Sequence, residues 1–110
     1  MKLNILGTEY DLTFRKQKDD PKLTVYIDGY TDTSTKEMVV EDMSTLKDSD
    51  NKGNLKLYCK QVTRHEIIHA FLFESGLDAS AGWAQNEEII DWFAIQMPKI
   101  LKACREANAL

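Results

Sequence analysis

The sequence predicts an α+β fold, and three observations carry the prediction. Apolar residues alternate with polar ones in short runs through the first half. The second half holds a long segment from Leu55 to Ser75 that is apolar on most sides, then a further segment with helical spacing. Gly, Pro and polar clusters separate these runs and leave no interdomain linker. With 110 residues and 43% hydrophobic residues, the chain can build one modest core, so residues 1–110 are read as a single domain. The expected architecture is a small antiparallel sheet of about four strands, packed on a long helix and followed by a second helix.

Lys2 to Leu6 is the first strand candidate, ended by Gly7. Tyr10, Leu12 and Phe14 fall on one face of the second, with Asp11, Thr13 and Arg15 on the other. Gln17 to Pro21 reads as a turn. Leu23, Val25 and Ile27 alternate again through Asp28 and give a third strand. Gly29 opens a polar stretch, Tyr30 to Thr35, expected as a loop or hairpin, and Glu37 to Asp42 is the fourth strand. Met43 to Asn54 is a polar connector. Its run Asp48 to Gly53 falls short of a calcium loop, because Lys52 stands where an oxygen ligand belongs and Cys59 where the closing Glu belongs. Asn54 can cap the start of the long helix, and Gly76 can end it. Leu77 to Trp83 reads as a small-residue loop. The second helix starts near Asn86 and runs through Trp92; Pro98 should kink it or start a new segment, and Lys99 to Ala109 continues at helical spacing.

Composition excludes several classes. A net charge of −4 gives no basic footprint for nucleic acid or for an anionic membrane surface. Two cysteines, Cys59 and Cys104, are too few for the disulfide framework expected of a small secreted fold. No window reaches the apolar length of a membrane span, and the first residues do not form a signal peptide. The expectation is a cytoplasmic chain that uses neither nucleic acid nor membrane, with the oligomeric state left open.

The chemistry concentrates in His65-Glu66-Ile67-Ile68-His69. On a helix, residues four apart sit one above the other, so His65 and His69 can converge on one metal ion. Glu66 lies on the flank of the same face, where a carboxylate can reach a metal-activated water as general base without being a ligand. The chain has only two histidines, and both belong to this motif. A catalytic zinc usually keeps three protein ligands and an open position, so a third donor is needed. Cys59 lies six residues before His65 on a different side of the same helix, which makes it a poor ligand and a better buried thiol. Downstream, Asn86-Glu87-Glu88-Ile89-Ile90-Asp91 places Glu87 and Asp91 four apart on one helix face.

The pair HEIIH and NEEIID resembles the gluzincins, the clan of zinc peptidases whose third ligand is a Glu on the next helix. The resemblance is strong over Arg64 to Asp91; over Met1 to Asp42 the chain is similar only in layout to the minimal gluzincins and to small proteins related to the ImmA/IrrE peptidases of phages and mobile elements. It implies Zn²⁺ held by His65, His69 and Glu87, with Glu66 catalytic and Asp91 bonding a zinc histidine, most simply His65. Glu88 is the rival ligand, about 100° away around the helix and without an acidic partner four residues on. The resemblance also implies hydrolysis of a peptide or protein substrate, with extended substrate pairing to an edge strand; Met38 to Glu41 is the strand expected there. The larger gluzincins supply a Tyr or His to the developing oxyanion. Here no third histidine exists, and Tyr58, seven residues before His65, is the candidate donor, with Tyr26 and Tyr30 as further choices from the sheet. Loss of such a donor costs about 10²–10³ in rate, which makes a zinc-stabilised protein-binding module the alternative to a working peptidase. Trp83 could line the cleft.

Overall fold

The computed structural model describes residues 1–44 and 54–110. Asp48 to Gly53, the run that falls short of a calcium loop, and most of the connector lie outside the described residues. The fold is α+β: strands β1 (Lys2–Ile5), β2 (Thr8–Arg15), β3 (Gly29–Asp32) and β4 (Glu37–Glu41), then helices α1 (Leu55–Glu74), α2 (Leu77–Ser80) and α3 (Glu87–Glu106). The strands form one sheet in the order β1-β2-β4-β3.

The sheet is two hairpins side by side. Ile5 pairs with Thr8 across a two-residue turn, in which Leu6 and Gly7 both take positive φ, 51° and 93°. That is the turn geometry that suits the twist of an antiparallel pair. Asp32 pairs with Glu37 at the end of the second hairpin, whose turn is held by Asp32 Oδ1 accepting from the Ser34 and Thr35 N–H groups at 3.0 and 3.2 Å. The two hairpins meet through a parallel pairing of β2 with β4, from Asp11 opposite Glu37 to Arg15 opposite Glu41. The sheet is therefore mixed, not wholly antiparallel as expected. Sequence alternation specifies which face each residue takes, but not which strand lies beside it.

The third strand is also displaced. Residues 23–28 are not a strand; Thr24 to Ile27 form a tight turn, with Thr24 Oγ1 accepting from the N–H groups of Tyr26 and Ile27, both at 3.1 Å. Leu23 is buried, but Val25 and Ile27 are 78% and 45% exposed, so the alternation of the three marks no continuous core face. The third strand is instead Gly29–Asp32, in the stretch expected as a loop or hairpin; it forms the second hairpin with β4 and occupies the sheet edge. Met38 to Glu41, expected at that edge, lies inside the sheet between β2 and β3.

One face of the sheet carries the core. Tyr10, Leu12, Met38 and Val40 are buried there against Leu55, Val62 and Ala70 of α1. The far face carries a polar cluster: buried Asp20 accepts from the Tyr30 hydroxyl at 2.5 Å and from Arg15 Nη1 at 3.1 Å. These bonds hold the Asp20 carboxyl below the usual carboxylate range, the Tyr30 hydroxyl contributing most.

Helix α1 starts where Asn54 caps it, its side chain accepting from Leu57 N–H at 3.1 Å, and ends before Gly76 at φ 84°. Its last residue, Glu74, is tied to the sheet by Lys36 Nζ at 2.8 Å, Tyr10 Oη at 2.8 Å and Thr8 Oγ1 at 3.1 Å. Where a small-residue loop was expected, α2 and a 3₁₀ turn over Gly82–Gln85 lead to α3. Asn86 caps α3, accepting from Ile89 N–H at 3.0 Å, and Ile90 and Ala94 are its buried residues. No helix among the described residues is long and apolar enough to cross a membrane.

Of the kink or new segment expected at Pro98, the new segment does not occur: α3 is one helix that contains Pro98. Proline lacks the N–H that would bond the carbonyl four residues earlier, which here is Ala94. Arg64 supplies the missing donor: its Nε lies 2.6 Å from Ala94 O. Arg64→Ala should therefore cost about 1–3 kcal/mol, because Ala94 is fully buried and its carbonyl is left unpaired. In a Pro98→Ala background residue 98 regains its N–H, and the same change should fall to the surface range, within about 0.5 kcal/mol. Denaturant unfolding of the four proteins measures this; equal losses in both backgrounds would exclude the compensation.

Candidate metal centre

Residues 62, 66 and 70 form the buried line of α1 against the sheet, and His65 and His69 lie beside it, turned towards the start of α3. Glu87, the first residue of α3, reaches both rings. Its Oε2 is 2.8 Å from His65 Nε2 and its Oε1 is 3.1 Å from His69 Nε2. The two Nε2 atoms are 3.1 Å apart. His65, His69 and Glu87 form a group that could hold a metal ion, all three donor atoms lying within 4.8 Å of one another. Glu88 follows Glu87 on the exposed surface and is not in this group.

The donor chemistry fits a cation. Asp91 Oδ1 lies 2.8 Å from His65 Nδ1; with the ring proton on Nδ1, the Nε2 lone pair faces a carboxylate oxygen and a second imidazole nitrogen. Electron-rich atoms converging in this way repel one another unless a positive centre is shared among them. Four-coordinate ligands at about 2.0–2.1 Å from a zinc ion would be separated by roughly 3.3 Å, close to the spacing of the two ring nitrogens. The His65 and His69 side chains are mostly buried while that of Glu87 is 67% exposed, so the group opens to solvent on one side.

Glu66 is 5% exposed and lies against β3. Burial raises the pKa of its carboxyl, and a hydrogen bond from Thr31 opposes that shift. Thr31 Oγ1 donates to Glu66 Oε1 at 2.8 Å and also lies 3.1 Å from Glu66 O. Gly29, on the same strand, lets β3 approach α1: a Cβ there would lie 2.9 Å from Val62 Cγ1, 3.1 Å from Val39 O and 3.3 Å from Glu66 Cγ.

Two recesses meet at the donor group. One, of about 410 Å³, is walled by Tyr26, Ile27, Asp28 and Tyr58; the other, of about 380 Å³, by Tyr30, Thr31, Phe73 and Asp78. Both reach Gly29, His65, Glu66 and Glu87, so together they make a cleft along the β3 edge. A larger recess, of about 770 Å³, lies between α1 and the β1–β2 hairpin and contains none of the three donors.

Tyr58 lines the first recess, but its hydroxyl donates to Asp28 Oδ2. Burial, reinforced by Asp28, pushes its pKa up, so the phenol stays protonated. Tyr30 Oη is spent on Asp20 at the far face, whereas Tyr26 lines the cleft on its exposed turn. Trp83 lines neither recess, and Cys59 packs against the core.

Thr31, Gly29 and Asp28 belong to the cleft without carrying a motif in the sequence. The available signal was the β-branched Thr31 and Thr33 alternating with Tyr30 and Asp32 directly after a glycine. The alternation of Leu23, Val25 and Ile27 just before it is the stronger strand pattern. Comparison of the chain with family models, with curated proteins and with solved structures gives no match.

Proposed function

We propose that this chain is a zinc metallopeptidase of gluzincin type, with His65, His69 and Glu87 as ligands, Glu66 as general base and a peptide or protein as substrate. The observation that carries the reading is the convergence of one carboxylate oxygen and two imidazole nitrogens beside a separate, buried carboxylate. When bound, zinc supplies a Lewis acid that lowers the pKa of water towards about 7 and polarises the scissile carbonyl. Glu66 then takes the proton of the attacking water and returns it to the leaving amine. Its burial favours the first of these steps, because a carboxylate that holds a proton more readily is the better base. Asp91 keeps His65 in the tautomer that presents Nε2. The outer edge of β3 is where an extended peptide would add as a further strand, in place of Met38 to Glu41.

The test is incubation of the zinc-loaded protein with a mixed peptide library, with new termini read by mass spectrometry. Cleavage that stops with a chelator and returns with zinc is the expected result. Absence of cleavage across the library would overturn the peptidase reading.

A second reading has its own support. The Tyr58 hydroxyl is donated to Asp28, so the strongest candidate for oxyanion stabilisation is already committed elsewhere. A zinc-stabilised module that binds a protein partner with little turnover is consistent with that. Tight partner binding by a zinc-loaded chain that leaves the library intact would favour it.

A further inference from the structure

Glu66 is gripped by one residue of the edge strand. Thr31 stands on the face of β3 that meets α1, and its single hydroxyl reaches Glu66 Oε1 at 2.8 Å and Glu66 O at 3.1 Å. It therefore meets both the carboxylate of Glu66 and the backbone carbonyl from which that side chain departs. Gly29 closes a third side, since its bare Cα brings the strand to where any Cβ would sit 3.3 Å from Glu66 Cγ. A glutamate has three rotatable bonds, and a general base works only when its oxygen is held within hydrogen-bond reach of the proton it takes. We infer that Thr31 is the positioning residue of the site, committing Glu66 Oε1 to the strand and leaving Oε2 to face the substrate.

This rests on the peptidase reading but is separable from it. A bond that merely joined β3 to α1 would show in stability. A bond that aims the base lowers turnover while substrate binding and metal content stay as they were.

The experiment compares the zinc-loaded full chain with Thr31→Val, Thr31→Ser and Glu66→Gln. Thr31→Val should keep zinc and KM and lose about 10–100-fold in kcat, and Thr31→Ser should recover most of that loss. Should valine disturb the packing beside Glu66, Thr31→Ala removes the same hydroxyl without added bulk. A second readout needs no turnover. Acetohydroxamate binding to the cobalt-loaded protein, followed by visible absorption, probes a ligand proton that a neighbouring carboxylate can accept. Thr31→Val should weaken that binding about tenfold, and Thr31→Ser should not. Wild-type kcat in Thr31→Val alongside an inactive Glu66→Gln overturns the Thr31 role alone. Equal losses in the Val and Ser variants also overturn it. If the wild type cuts nothing, the peptidase reading falls and the hydroxamate series decides the Thr31 role; a chain that takes up no metal overturns both.

Discussion

Glu87→Ala should strip the metal, and Glu88→Ala should leave it in place. The two carboxylates are neighbours in sequence, equal in charge and both in the first turn of α3. Bulk electrostatics cannot separate them. Geometry can: Glu87 oxygens lie 2.8 and 3.1 Å from the two ring nitrogens, while Glu88 stands about 100° further round the helix, in solvent. Removing one of three protein donors should lower zinc affinity by more than the roughly 10–100-fold typical of losing a supporting residue. Asp91→Ala, which frees the His65 ring without deleting a donor, should fall within that range. Metal analysis after dialysis against a zinc buffer reads all three. Loss of zinc in the Glu88 variant with retention in the Glu87 variant would sink the assignment of ligands.

Glu66→Gln should abolish hydrolysis and keep the zinc. Glutamine has the same shape, and its carbonyl oxygen can still accept from Thr31, so the packing of β3 on α1 survives. What is lost is a group that can take a proton and give it back, worth about 10²–10⁴ in rate. Metal content and turnover measured on one preparation distinguish this from simple loss of the site. Near-wild-type turnover in a zinc-loaded Gln variant would place the base elsewhere in the cleft.

Most of the donor group was legible because it depends on short-range periodicity. His65 with His69, and Glu87 with Asp91, are each pairs on one helix, and their spacing alone puts each pair on one face. Asn54 and Asn86, at the helix starts, follow the same local logic. The illegible parts depend on residues far apart. Pro98 reads as a break until Arg64, on another helix, is seen to occupy the carbonyl that the proline leaves open. The parallel pairing of β2 with β4 leaves no mark on either strand's alternation. Leu23, Val25 and Ile27 read as one face of a strand; Leu23 is buried, yet the Thr24 turn holds Val25 and Ile27 outward.

The cluster on the far face of the sheet acts on the cleft through strand register. Tyr30 and Thr31 are adjacent on β3 and point to opposite faces, Tyr30 towards Asp20 and Thr31 towards Glu66. Sliding β3 by one residue against β4 would exchange them, leaving Glu66 facing a phenol ring and Asp20 without its phenol. A four-residue edge strand has few ladder bonds to resist such a slip. The Tyr30–Asp20–Arg15 bonds supply resistance from the face of the sheet opposite α1. They work as a detent, so the identity of the residue against Glu66 is decided on the opposite face of the sheet.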